Sequence, residues 1–270
     1  MPFTLSHPAA ILPFHKLLGR RVSISAMAIG SMAPDFAYFL PGIRGQQTHS
    51  LLGILSFCLP AGLLVYLIFH LLIKRPASLL LPAFISTRLR ASVFGVPALP
   101  QVSSWIVAWS LMLGAGTHIA WDSLTHRNSA VVNHVDFLRM VVFSSDGYDW
   151  YLYKLLQHIS TAVGLLVLAW WIKGWLGRKP VSTAAAVTAA AETNDTNGLE
   201  LRPSTKVYIT ACIIAAGAAS CAAAGLSHPP TPLERWLFFV VVAGLSGFML
   251  ALLFYCVAWT LFARRRESKT

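Results

Sequence analysis

Five stretches of this sequence are long and apolar enough to call for a bilayer: Leu51–Ile73, Ser103–Trp121, Leu155–Ile172, Val207–Leu226 and Trp236–Phe262. A membrane-spanning helix takes about 20 mostly apolar residues. Charge content argues the same way. Only 11% of residues are charged and 56% are hydrophobic, whereas an ordinary soluble domain carries about 25% charge. The expected fold is therefore all-α, a polytopic helical membrane protein with the bilayer as its partner. Trp170, Trp171 and Trp175, with Lys154 and Lys173, bracket the third stretch as interfacial anchors do.

The basic excess is 21 Lys+Arg against 10 Asp+Glu. It comes with no nucleic-acid recognition motif, so no nucleic-acid partner is expected. The basic residues flank apolar runs, as positive-inside anchors do. With five crossings, 74–102, 177–206 and the tail after Phe262 share one side. They carry Lys74, Arg75, Arg88, Arg90, Arg178, Lys179, Arg202, Lys206, Arg264, Arg265, Arg266 and Lys269. That side, including the C-terminus, is expected to be cytoplasmic. The N-terminus has no basic region followed by an apolar core, so a cleavable signal peptide is not expected. Cys58, Cys212, Cys221 and Cys256 form no CxxC pair and sit in apolar runs as small hydrophobes.

Two arrangements suit the region before the first span. Pro8–Leu18 and Ser23–Ala33 read as two short helices broken at Gly19-Arg20-Arg21, the second ending before Pro34. They would form a half-membrane hairpin whose open end holds His7 and Asp35. Alternatively, Val22–Leu40 is a sixth span. Farther on, 177–206 holds an Ala/Thr run and AETNDTNG and reads as a flexible linker. It would divide a His/Asp-rich membrane domain, 1–176, from a two-helix hairpin, 207–270.

Ionisable residues at membrane helices are functional candidates by default, and here they gather. His49 precedes the first secure span, while His118, Asp122 and His126 end the second. The start of one span and the end of the next lie at the same membrane face. Asp35 is near His49 in sequence. His118 and Asp122, four apart, share one helix face. Imidazole and carboxylate are ligands for zinc and other divalent first-row metals. His126, one turn farther, is expected as a general base or a group supporting the ligands. Thr48, Ser50, Ser123 and Thr125 are expected to orient ligands. His15 and His70 read as packing or interface residues. His134, Asp136, Asp146, Asp149 and His158 read as belonging to a solvated loop, and His228 to a Pro-rich turn.

The segments MPFTLSHPAA, GSMAPDFAYFL, THSLLG and GTHIAWDSLTHR resemble the bacterial membrane proteins grouped as domain of unknown function family 4184. The sequence is also similar to bacterial inner-membrane proteins described as membrane-bound metal-dependent hydrolases. Their pattern falls here on His7, Pro34-Asp35, Thr48-His49-Ser50, and His118 with Asp122 and Thr125. This resemblance implies that His7 joins the site and favours the half-membrane hairpin. Two positions depart from the pattern: Ala37 stands where a second Asp is usual, and Arg44-Gly45-Gln46-Gln47 where His-Arg is common.

The expectation is a divalent metal, zinc or manganese, held by His7, Asp35, His49, His118 and Asp122, with His126 catalytic. The function expected is a metal-dependent hydrolase at the membrane face, acting on a lipid-like or phosphoester substrate. The alternatives are an ion- or proton-coupled transporter and a non-catalytic assembly protein.

Overall fold

The structure, a computed structural model, describes residues 4–94, 97–127, 129–145, 148–178, 201–227 and 233–267. Among the described residues, four helices are long and apolar enough to cross a membrane: Leu51–Leu80, Leu152–Gly177, Pro203–Ser227 and Arg235–Ala263. The protein is a helical membrane protein. The other expected span forms the helix Ser104–Ser123. Its stripe of Ser110, Gly114, His118 and Asp122 makes it less apolar, and that stripe is buried in protein.

The chain divides into two compact units, Met1–Tyr66 with Val102–Arg178, and Leu67–Gln101 with Lys179–Thr270. In the first, the N-terminal region is a chain of short elements. A 3-10 helix, Thr4–Ile11, leads into the helix Leu12–Leu18, which ends at Gly19 with φ of +52°. Ser23 then caps the helix Ile24–Gly30 by accepting from the Ala26 amide. A 3-10 turn, Ala33–Phe39, follows with Pro34 in its first turn. The stretch 22–40 is thus no single span. Its α-helix runs only from Ile24 to Gly30, about 10 Å at 1.5 Å per residue against a ~30 Å core.

The short helix runs parallel to Ser104–Ser123 and in step with it. The Ser23 amide donates to Ser110 Oγ (2.9 Å), the Met27 carbonyl faces Gly114, and the Ser31 carbonyl faces His118. Two glycines permit this approach. A Cβ on Gly30 would strike the Leu111 backbone, and one on Gly114 would strike the Met27 carbonyl and the Ser31 amide. Ile11, Val22 and Met27 form one buried apolar cluster here, and Ala33, Cys58 and Ala115 form another.

The helix Leu51–Leu80 starts at Ser50, whose Oγ accepts from the Gly53 amide (2.9 Å). It widens into π-turns at Ile54–Cys58 and Phe69–Ile73. The loop expected after the Ser104–Ser123 helix is more ordered than a solvated connection. It holds a short helix, Ala130–His134, and an antiparallel hairpin pairing Val141–Ser145 with Tyr148–Tyr151. Val132, Leu138 and Tyr153 anchor this segment.

In the second unit, Pro203–Ser227 and Leu233–Glu267 form an antiparallel pair lined by small residues. Gly217 faces the Gly244 carbonyl, Gly244 faces Cys221 Sγ, and Gly247 faces Ser220. Trp236 Nε1 donates to the Gly225 carbonyl (3.1 Å), and Tyr255 Oη donates to the Pro76 carbonyl (3.2 Å). The expected linker lies, over 179–200, outside the described residues.

Candidate metal centre

Five side chains from four segments converge within the first unit. His7 comes from the N-terminal 3-10 helix, Asp35 from the turn after Gly30, His49 from the approach to Leu51, and His118 and Asp122 from one face of Ser104–Ser123. His7, Asp35, His118 and Asp122 are buried, and His49 is half-buried. Among the described residues, two groups have ligand atoms mutually within 4.8 Å: His7, Asp35 and His118, and His49, His118 and Asp122.

Backbone carbonyls set the chemistry of two imidazoles. His118 Nδ1 lies 2.7 Å from the Ser31 carbonyl, and His49 Nδ1 lies 2.8 Å from the Gly45 carbonyl. A carbonyl oxygen only accepts, so each Nδ1 carries the donated hydrogen and, in the neutral ring, each Nε2 carries a lone pair. The two Nε2 atoms sit 3.2 Å apart. Around them lie Asp122 Oδ2, 3.2 Å from His118 and 3.6 Å from His49, and Asp35 Oδ1, 3.7 Å and 3.3 Å from the same atoms.

Acceptors this close repel one another unless a proton or a cation lies between them. The spacing suits a cation. Tetrahedral ligands at about 2.0–2.1 Å from zinc are about 3.3–3.4 Å apart, close to the 3.2–3.6 Å separations among His49, His118 and Asp122. Buried atoms without a hydrogen-bond partner add to the fit: both ring nitrogens of His7, and Asp122 Oδ1. Such orphans are rare and call for an explanation. The His/Asp groups can hold a metal ion.

The remaining contacts arrange the rim. The His7 ring stacks on His118 at 3.8 Å, with Nε2 3.6 Å from Asp122 Oδ1. Burial, with His118 beside it, pushes the His7 imidazole down to about 4, so the ring is neutral at pH 7. Burial would raise Asp35, and the hydrogen bond from the Thr4 hydroxyl works against it by favouring the carboxylate. His126 is partly exposed, at 32% of its side chain, with Nδ1 3.5 Å from Asp122 Oδ1 and 3.2 Å from the Asp122 carbonyl. Burial lowers its pKa as well.

Some expected supports are present and others are not. Thr48 Oγ1 lies 2.9 Å from the Pro34 carbonyl and 3.1 Å from His49 Nδ1, joining the two ligand-bearing segments. Thr125 Oγ1 lies 3.3 Å from His126 Nδ1. Ser50 instead caps its helix, and Ser123 Oγ donates to the Ala120 carbonyl (2.7 Å). Sequence reasoning missed Thr4, whose hydroxyl donates to Asp35 Oδ2 at 2.6 Å. Its position three residues before His7 was the available signal. The Ser31 and Gly45 carbonyls had none, because a backbone acceptor is independent of side-chain identity. His134 folds onto the Ala130 carbonyl (2.7 Å), and Asp149 accepts from Ser144 Oγ (2.6 Å). Asp146 and His228 lie outside the described residues.

A helical membrane protein with a buried His/Asp cluster is the class that these observations define. The chain belongs to the family described as Domain of unknown function (DUF4184), which matches residues 1–257. No curated protein and no solved structure matches it.

Proposed function

We propose that this protein is a metal-dependent hydrolase of the bacterial cytoplasmic membrane, acting at the membrane face on a lipid-linked phosphoester. The observation that supports this reading most is the convergence of His49 Nε2, His118 Nε2, Asp35 Oδ1 and Asp122 Oδ2, with both Nδ1 atoms engaged by carbonyls. With both rings neutral, these two nitrogens, 3.2 Å apart, present lone pairs to a common cation.

His49, His118, Asp35 and Asp122 would hold the ion, and His7 would complete the set from the side of Asp122 Oδ1. Zinc suits the mixed imidazole and carboxylate donors, and manganese suits the carboxylate share. When bound, the ion supplies Lewis acidity and lowers the pKa of a coordinated water. His126, neutral and partly exposed, donates Nδ1–H to the Asp122 carbonyl and so keeps Nε2 as a proton acceptor. Asp122 holds this base in place through its carbonyl while offering its carboxylate to the ion. Basic residues after Phe262 support a cytoplasmic C-terminus. Five crossings then put the centre at the outer face.

The test is metal content of the detergent-purified protein by mass spectrometry, wild type beside His118→Ala and Asp122→Ala. Near-stoichiometric zinc or manganese in the wild type, lost from both folded variants, is the expected result. A wild-type protein without metal that takes up neither ion would overturn the reading.

A further inference from the structure

A cavity of about 740 Å³ lies beside the candidate metal centre, within the same unit. The Ser104–Ser123 helix and the residues just after it form one wall, with Leu113, Gly116, Ala120 and Leu124. Phe14 and Val163 close it from other elements. Its polar wall residues spend their hydrogen-bonding groups on protein partners. Thr117 Oγ1 donates to the Gly114 carbonyl (2.7 Å), Trp121 Nε1 to Ser160 Oγ (3.1 Å), and Ser160 Oγ to the Gln157 carbonyl (3.2 Å). The wall therefore offers hydrocarbon, and a polar occupant would lose its water contacts without replacement.

Length and position narrow the occupant further. From Leu113 to Thr125 the wall runs about 18 Å at 1.5 Å per residue, close to the ~15 Å depth of one leaflet of a ~30 Å core. Phe14, Leu124, Val163 and the neighbouring Leu166 are exposed, so the cavity opens onto apolar surface. It also borders the centre. Trp121 lines the cavity with its ring 6.1 Å from His7, and Thr125 lines it while contacting His126.

We propose that this groove seats the hydrocarbon chain of a single bilayer lipid, with the phosphoryl head at the His126 end. This rests on the hydrolase reading and narrows its substrate to a lipid whose chain lies along Ser104–Ser123. Gly116 is the natural place to block it. A Cβ there meets nothing within 4 Å, so a larger side chain fills the groove and displaces no protein atom at its root.

The test is photo-crosslinking of the full-length protein in bilayer discs. The probes are alkyl phosphonates with a diazirine either next to the head or at the chain terminus, and adducts are mapped by mass spectrometry. Head-proximal probes are expected to label Leu124 and Thr125, and terminal probes Leu113. In Gly116→Phe, terminal labelling of Leu113 falls to background while metal content is unchanged. Gly116→Ala keeps the wild-type pattern. Labelling without this order, or unaltered by Gly116→Phe, overturns the proposal. Ordered labelling in a protein that never binds metal sinks the hydrolase reading and leaves the groove standing. Bound metal without ordered labelling does the reverse.

Discussion

Glycines bring helices together in both units, but what they meet differs. In the His/Asp unit, Gly30 faces the Leu111 backbone, and Gly114 faces the Met27 carbonyl and Ser31 amide. In the C-terminal pair backbones also approach, at Gly217 and Gly247, but a Cβ on Gly244 would strike the tip of Cys221, with the nearest backbone atom at ordinary contact distance. A side-chain tip can rotate away, whereas a helix backbone moves only with the whole helix. The first crossing is thus a rigid gauge. It holds the Ser31 carbonyl on His118 Nδ1 and thereby aims His118 Nε2. The second crossing supplies close packing of the kind small residues allow in lipid.

The sharpest way to break this comparison is Gly114→Leu. It forces the parallel helices apart and is expected to cost upward of about 3 kcal/mol, the upper end for overpacking. Metal binding should be lost with it, as read by thermal unfolding and metal content together. Next comes Asp122→Asn, nearly isosteric, which removes carboxylate charge from the centre. The fold should survive while metal occupancy falls to background in the same two assays. Thr4→Val removes one hydrogen bond to Asp35 and should weaken metal affinity by about 10–100-fold, the usual effect of losing a group that orients a ligand. A chelator competition titration would measure it. The smallest effect is expected from Gly244→Ala. Cys221 can turn aside, so the cost should stay within about 1 kcal/mol, in line with ordinary point substitutions, with metal content unchanged. Equal losses of metal from Gly244→Ala and Gly114→Leu would erase the distinction.

Much of this was legible in the sequence for identifiable reasons. Helix positions followed from the length of the apolar runs, though helices extend past them, as Pro203–Ser227 does beyond Val207–Leu226. The shared location of His49, His118 and Asp122 followed from topology, because consecutive spans return to one face. His7 and Asp35 needed more. Their approach depends on Gly30 and Pro34 ending a helix early, which left a short hairpin and a sixth span both open. The 141–151 hairpin escaped notice because its strands are short and its residues also read as a polar connection. Ser50 and Ser123 look like ligand supports by position, yet a serine at a helix end readily bonds to its own backbone.

The π-turn at Ile54–Cys58 acts on the phase of its helix. Gly53 packs against the Gln47 and Thr48 carbonyls, and Gly62 packs against Leu111. In an unbroken α-helix with 3.6 residues per turn these two positions would point about 180° apart. A π-turn acts as a one-residue insertion, reducing the offset to about 80°. The widened turn is therefore a vernier: one extra residue lets the same helix close over the His49 loop at its start and grip the Ser104–Ser123 helix two turns later.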